Sequence, residues 1–135
     1  MLDDCIFCKI ISGEIPAHKI YEDDKVLAFL DIKPVNPGHT LVVTKEHHLD
    51  LVSTPEDLLA AVMAAAKKIG RKILDTGIGE AITFTFNNGR VAGQVVDHVH
   101  LHVMPRKNND GYELWHGREY APSEAEKIVK KLRMD

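Results

Sequence analysis

The run Asp97-His-Val-His-Leu-His-Val-Met104 constrains this chain more than any other segment, because His98, His100 and His102 stand two residues apart. On an extended backbone alternate side chains share a face, so the three imidazoles line one side of a strand while Val99, Leu101 and Val103 enter a core on the other. Histidines grouped in this way must each find a hydrogen-bond partner, a metal or a substrate. The strand is therefore expected to be the floor of a site.

Two chemistries suit such a floor. Neutral imidazoles can hold a metal, usually zinc, with one position left for water. Alternatively one imidazole is a nucleophile whose neighbours fix its tautomer and handle the departing proton. A surface strand that merely carries histidines is the plain alternative, and the Val/Leu/Val face argues against it. A single catalytic zinc held by all three is disfavoured as well, since positions i, i+2 and i+4 of a strand span about 13 Å.

The chain of 135 residues is long enough for one domain, residues 1–135, with a core that needs no staples. Its net charge of -3, with acids and lysines intermixed, provides no footprint for nucleic acid, and no segment reads as a membrane span. The start, Met-Leu-Asp-Asp, has neither a basic n-region nor an apolar h-region, so the expected location is cytoplasmic. In that compartment Cys5 and Cys8 are expected to be reduced or metal-bound.

Apolar clusters broken by Gly13 and Pro16 predict a turn of helix leading into a loop. Strands are predicted over Lys19 to Glu22, Val26 to Ile32 and Thr40 to Thr44, separated by turn residues at Asp23-Asp24 and Pro34 to Gly38. Thr54-Pro-Glu-Asp57 predicts a helix start with Thr54 as cap and proline in the first helical position. Leu58, Leu59, Val62, Met63, Ala66, Ile69 and Ile73 form its apolar stripe, and Asp75-Thr-Gly77 ends it. A strand over Ala81 to Phe86, a loop over Asn87 to Gly93, the histidine strand to about Pro105 and a Ser123-capped helix over Ala125 to Arg133 complete an α+β chain.

The loop Asn87-Asn-Gly-Arg-Val-Ala-Gly93-Gln94 brings amides and carboxamides to the start of the histidine strand, as a phosphate cradle would, although Asn-Asn-Gly alone also makes an ordinary turn. Cys5-x-x-Cys8 has zinc-knuckle spacing but offers two ligands of the four a closed site needs; two buried free thiols are the alternative.

With these motifs together, the chain closely resembles the histidine triad (HIT) superfamily of nucleotide hydrolases and transferases, in the branch of Hint-like and Fhit-like proteins. The signature His-x-His-x-His followed by two apolar residues is met by His98 to Met104. Ile6-Phe7, Phe29-Leu-Asp-Ile32, Pro37-Gly-His-Thr-Leu-Val42 and Gly93-Gln94 extend the resemblance in the right order. It implies a five-stranded antiparallel sheet with one long helix, here joined by the short C-terminal helix, and a homodimer.

It further implies that His100 attacks the α-phosphorus of a purine nucleotide, an adenosine derivative, and that water then releases the nucleoside monophosphate. His98, His102 and His39 complete the catalytic set; Asn87, Gly93 and Gln94 meet the phosphate and leaving group. Asp31 accepts the ribose hydroxyls, and Ile6, Phe7, Phe29 and Ile32 form the base pocket, although by composition alone those four read as core. No organic cofactor is implied. Bacterial-type members carry the CxxC motif, which implies a structural zinc on Cys5, Cys8, His47 and His98, with adjacent His48 able to replace His47. One departure stands out: Val95 follows the Gly-Gln pair where Ser or Thr is usual, so no hydroxyl is offered to the leaving group of a phosphoramidate.

Overall fold

The computed structural model describes residues 2–134, which form an antiparallel sheet with a long helix on one face and a short helix on the other. The elements are α1 (Ile6–Ile11), β1 (Lys19–Glu22), β2 (Val26–Leu30), β3 (Thr40–Thr44), α2 (Glu56–Thr76), β4 (Ala81–Phe86), β5 (His100–Arg106) and α3 (Glu124–Leu132). The five strands lie in the order β1-β2-β3-β5-β4. Strand β5 thus sits between β3 and β4, and the histidine segment lies in the interior of the sheet. No helix among the described residues is long and apolar enough to cross a membrane.

Strand alternation divides the core in two. Val26, Ala28, Val42, Leu101 and Val103 face α2 and pack on Val62, Ala65, Ala66, Ile69 and Ile73. Leu27, Phe29, Leu41 and Val43 face the opposite way and pack with Cys5, Phe7, Cys8 and Ile10 of the α1 region. Each fully buried aliphatic contributes about 1.5–3 kcal/mol. His100 is paired with Val43 and His102 with Leu41, which puts both imidazoles on the α1 face.

Helix α2 comes close to the sheet at Gly70, where an added Cβ would stand 3.0 Å from the Phe84 ring. It ends at Gly77, whose φ of 77° is the left-handed conformation of a C-cap. Its stripe is as predicted at Leu58, Val62, Ala66, Ile69 and Ile73, but Met63 is half exposed while Ala65 and Gly70 are buried. The stripe is narrow because the helix backbone lies close to the strands there.

Several predicted boundaries shift, each for a local reason. Thr54 does not cap α2: its hydroxyl donates to the Asp50 carbonyl, Pro55 is the cap position, and the helix starts at Glu56. Strand β2 stops at Leu30 rather than Ile32 because the Asp31 carboxylate accepts the Lys33 N–H and turns the chain. Ser123 has φ +67° and makes no side-chain cap, so α3 runs from Glu124 to Leu132. Glu124 instead accepts the Ala121 N–H. The histidine strand begins at His100, and His98 lies in the bend that leads into it.

Candidate active site

His100 is buried, and its Nδ1 donates to the carbonyl of His98 at 2.7 Å. In a neutral ring that bond leaves the Nε2 lone pair free. Burial lowers the His100 pKa, opposed by the bond to the His98 carbonyl and by the Asp31 charge. The Phe7 ring stands edge-on to His100 at 5.0 Å and to Phe29 at 5.6 Å. The strand thus presents a bare Nε2 lone pair whose direction is held by a backbone acceptor.

His102 belongs to a different set of contacts. The Val35 N–H donates to His39 Nδ1 at 3.0 Å, which requires that the neutral His39 carry its proton on Nε2. His39 Nε2 lies 2.9 Å from His102 Nδ1, and so donates to it. His102 consequently presents Nε2–H as a donor at the far end of the chain. Asp31 stands 3.7 Å from His39 Nε2. Burial, then the neighbouring His100 and His39, pushes the His102 pKa to about 4, with Asp31 opposing. Burial lowers His39 also, again opposed by Asp31.

Asp31, His39 and His102 bring ligand-type atoms within 4.8 Å of one another, as a metal site would. Their protons argue otherwise: a cation on His39 Nε2 would have to displace the hydrogen that bonds His102, and Nδ1 is engaged as an acceptor. This group is a hydrogen-bonded relay.

The loop before β5 is held by side chains. Gly93 has φ +99°, and a Cβ there would stand 3.4 Å from the Asn87 carboxamide nitrogen, so glycine keeps the backbone open beside Asn87. Gln94 is buried; its Oε1 accepts the Gly89 N–H at 2.8 Å and its Nε2 donates to the carbonyls of Leu49 and Val96 at 2.7 and 3.1 Å. Both donors of the carboxamide are engaged within the protein. In this structure the carboxamide holds the loop in shape. Val95 next to it is exposed.

The four apolar residues expected around a base divide into two pairs. Phe7 and Phe29 are core, 5% and 3% exposed, whereas Ile6 and Ile32 are 46% and 86% exposed. Of the four, Ile6 and Ile32 have the surface that a flat ligand could cover.

His98 has its own partners. It is wholly buried, and its Nε2 donates to the Thr44 carbonyl at 2.7 Å, which turns the bare Nδ1 toward Cys5 Sγ (3.4 Å), Cys8 Sγ (3.6 Å) and His47 Nδ1 (3.1 Å). Cys8 Sγ lies 3.3 Å from His47 Nδ1. A tetrahedral zinc with Zn–N near 2.0 Å and Zn–S near 2.3 Å has ligand–ligand edges of about 3.3–3.8 Å. The observed separations come close to those edges, and the donor set of two thiols and two imidazoles fits zinc. The Thr44 carbonyl supplies the outer hydrogen bond that orients a ligating imidazole. His48 is not in the group, because its ring bonds Glu46 at 3.0 Å. Burial lowers the His98 pKa to about 4, with Thr44 opposing and His47 adding to the shift.

The three triad imidazoles thus have three different partners, and the notion of one ion shared by all three does not survive their geometry. Sequence reasoning misses Thr44 and Val35, which act through backbone atoms and leave no residue-type signal. It also gives no role to Arg90, whose guanidinium reaches the Gln94 and Val95 carbonyls and Asp97.

The HIT domain family model matches residues 12–109. The chain belongs to the HIT family. This HIT domain is 45% identical over 129 residues to an uncharacterized HIT-like protein of Methanocaldococcus jannaschii, covering 96% of this chain and 98% of that one. It is 45% identical over 108 residues to an adenosine 5′-monophosphoramidase of Candida albicans (77% of this chain, 71% of that one). It is 42% identical over 108 residues to an adenylylsulfatase of Arabidopsis thaliana, covering 80% of this chain and 55% of that protein. Among solved structures it superposes on a HIT family protein of Bacillus subtilis with TM-score 0.88 at 39% identity, over 98% of this chain and 99% of that one. A zinc-bound histidine triad protein of Mycobacterium smegmatis matches with TM-score 0.77 at 38% identity, over 95% and 91% of the two chains.

Proposed function

We propose that this HIT protein is a nucleotide hydrolase or transferase that cleaves adenylylated or related nucleotides at the α-phosphate through a nucleotidyl-histidine intermediate. The observation that carries the reading is the 2.7 Å bond from His100 Nδ1 to the His98 carbonyl, which keeps Nε2 unprotonated and fixed in direction. The relatives named as a phosphoramidase and an adenylylsulfatase support the substrate class.

In the first step His100 Nε2 forms a bond to phosphorus while the bond from phosphorus to the leaving group breaks, and the leaving group takes a proton from solvent water. In the second, water forms a P–O bond and releases a proton to solvent, the P–N bond breaks, and the nucleoside monophosphate leaves with His100 restored. His102 Nε2–H is the donor for a phosphate oxygen, and the Val35–His39 bond keeps that proton where it is needed. Amides of the 89–96 loop and Asn87 complete the phosphate cradle, with Gln94 holding the loop. Asp31 accepts the ribose diol, and Ile6 and Ile32 clasp the purine in front of Phe7 and Phe29.

Cys5, Cys8, His47 and His98 would hold zinc, whose chemistry here is that of a structural cross-link between α1 and the entry to β5. Reduced thiolates in that role suit a cytoplasmic setting. A homodimer is supported by two uncovered features. Strand β4 is an edge strand without a charged side chain, and α3 buries none of its residues although Ile128, Val129 and Leu132 lie on it.

Intact-protein mass spectrometry after brief incubation with adenosine 5′-phosphoramidate, a dinucleoside polyphosphate and a nucleotide-sugar in parallel tests the reading. A nucleotidyl adduct that maps to His100 is the expected result. Turnover of any of the three by His100→Ala at the wild-type rate overturns the covalent mechanism.

A further inference from the structure

Arg90 is the cation of the proposed phosphate loop, and yet its guanidinium is turned toward the protein backbone. Its Nη1 donates to the Val95 carbonyl at 2.6 Å and, more weakly, to the Gln94 carbonyl at 3.4 Å, while Nη2 meets Asp97 at 3.2 Å. In a trans peptide the C=O and the following N–H point in opposite directions. A guanidinium that gathers the carbonyls of Gln94 and Val95 on one side therefore turns the N–H groups of Val95 and Val96 to the other. Those two N–H groups donate to no backbone or side-chain acceptor among the described residues. Arg90 lines a cavity of about 510 Å³ together with Cys5, His47, Asp97 and the Val95–Val96 pair itself.

We infer that Arg90 is a positioning residue that aims the Val95 and Val96 amides at the phosphate of the substrate, an inference that rests on the nucleotidyl-transfer reading. Backbone amides fixed in advance hold developing charge on phosphate without reorganisation, whereas a mobile arginine would first have to be ordered. The pair with Asp97 is a surface contact, 65% and 58% exposed, and so contributes little to stability. Its use is geometric: it stops the guanidinium from swinging round to bind the phosphate itself. Val95 strengthens the case, because without a side-chain hydroxyl at this position its main-chain N–H is the donor it can offer.

Titration calorimetry with AMP and with adenosine, on wild type, Arg90→Met and Arg90→Lys, tests the inference beside kcat and KM for adenosine 5′-phosphoramidate. Arg90→Met is expected to weaken AMP about tenfold, as loss of one well-aimed charge-assisted donor set would, and to lower kcat, with adenosine affinity and melting temperature unchanged. Arg90→Lys, which can reach one carbonyl but not both, is expected to recover part of the loss. Equal weakening of AMP and adenosine, or an Arg90→Met protein that matches wild type, overturns the role of Arg90 while the nucleotidyl reading stands. A wild-type protein that binds AMP no better than adenosine and forms no nucleotidyl adduct overturns both.

Discussion

The two histidine clusters on either side of His100 are built from the same residue type and behave in opposite ways. At His98 the Thr44 carbonyl takes the only ring proton, and the bare Nδ1 meets a second imidazole nitrogen and two sulfurs with 3.1–3.6 Å between them. At His102 the Val35 amide sets the proton on His39 Nε2, and the 2.9 Å contact is an ordinary hydrogen bond. One cluster is a set of converging lone pairs that a cation would satisfy, and the other is a set already satisfied by protons. A backbone carbonyl in one case and a backbone amide in the other decides between a set of bare lone pairs that fits a metal and a hydrogen-bonded chain.

The sharpest way to test that division is to remove the residue between the clusters. His100→Ala should lower kcat by at least about 10³-fold while nucleotide affinity stays close to wild type, as expected when the nucleophile alone is lost. Single-turnover assays together with AMP titration would read both quantities. Comparable loss of affinity would mean that His100 holds the site together instead of reacting in it.

The metal side should fail in stability and the relay side in activity. Cys5→Ser with Cys8→Ser should lower the melting temperature by more than about 10 °C, since metal binding energy in a closed site is folding energy. Specific activity of the protein that remains folded should fall much less. Elemental analysis should find one zinc per wild-type chain; freely titratable thiols and no stoichiometric metal would return Cys5 and Cys8 to the core. His39→Ala should give the reverse pattern, a small change in melting temperature and a fall in kcat.

Next in size is Asp31, whose carboxylate lies at the relay. Asp31→Ala should raise KM for ribonucleotides about tenfold and narrow their advantage over 2′-deoxyribonucleotides, because the acceptor for the diol is gone. Equal weakening of both classes would confine Asp31 to structure.

Acid should act on the relay in a defined direction. His102 titrates at about 4 in the folded protein against 6.5 for the free side chain, so between those values the unfolded chain binds the proton that the native chain refuses. Stability therefore rises with pH across that window and is lost as pH falls through it. A thermal-melt series from pH 4 to 7 should show a shallower slope in His102→Phe than in wild type. A slope unchanged by the substitution would assign the acid sensitivity to the Cys–His cluster instead. The smallest effect is expected at Val95→Ser, where one added hydroxyl should improve phosphoramidate cleavage by only a few-fold, the worth of a hydrogen bond of ~1 kcal/mol.

The period-2 pattern of residues 98–104 makes the two faces of β5 legible from residue types alone, and the five strands and both later helices lie near their predicted positions. Expectation and structure part where a side chain has two possible bonding partners. Thr54 could cap α2 or close its own turn, and the Asp50 carbonyl takes its hydroxyl. Gln94 reads from the sequence as a phosphate contact, and its bonds to Leu49, Gly89 and Val96, which hold the loop, appear only in the fold.

By itself the sequence determined which residue types stand at which spacing: an imidazole face, a pair of thiols, a carboxylate before a proline turn, and apolar periods that specify strands and helix. Those follow from local geometry, because side-chain direction repeats every two or 3.6 residues. Tertiary structure alone decided which nitrogen of each histidine carries the proton. Thr44, His98 and Val35 contribute main-chain atoms to that choice, and a main-chain carbonyl or amide is present at almost every position, so no pattern of residue types can announce it. The same reason hides Arg90, whose charge suggests an anion although its partners are two carbonyls and a carboxylate.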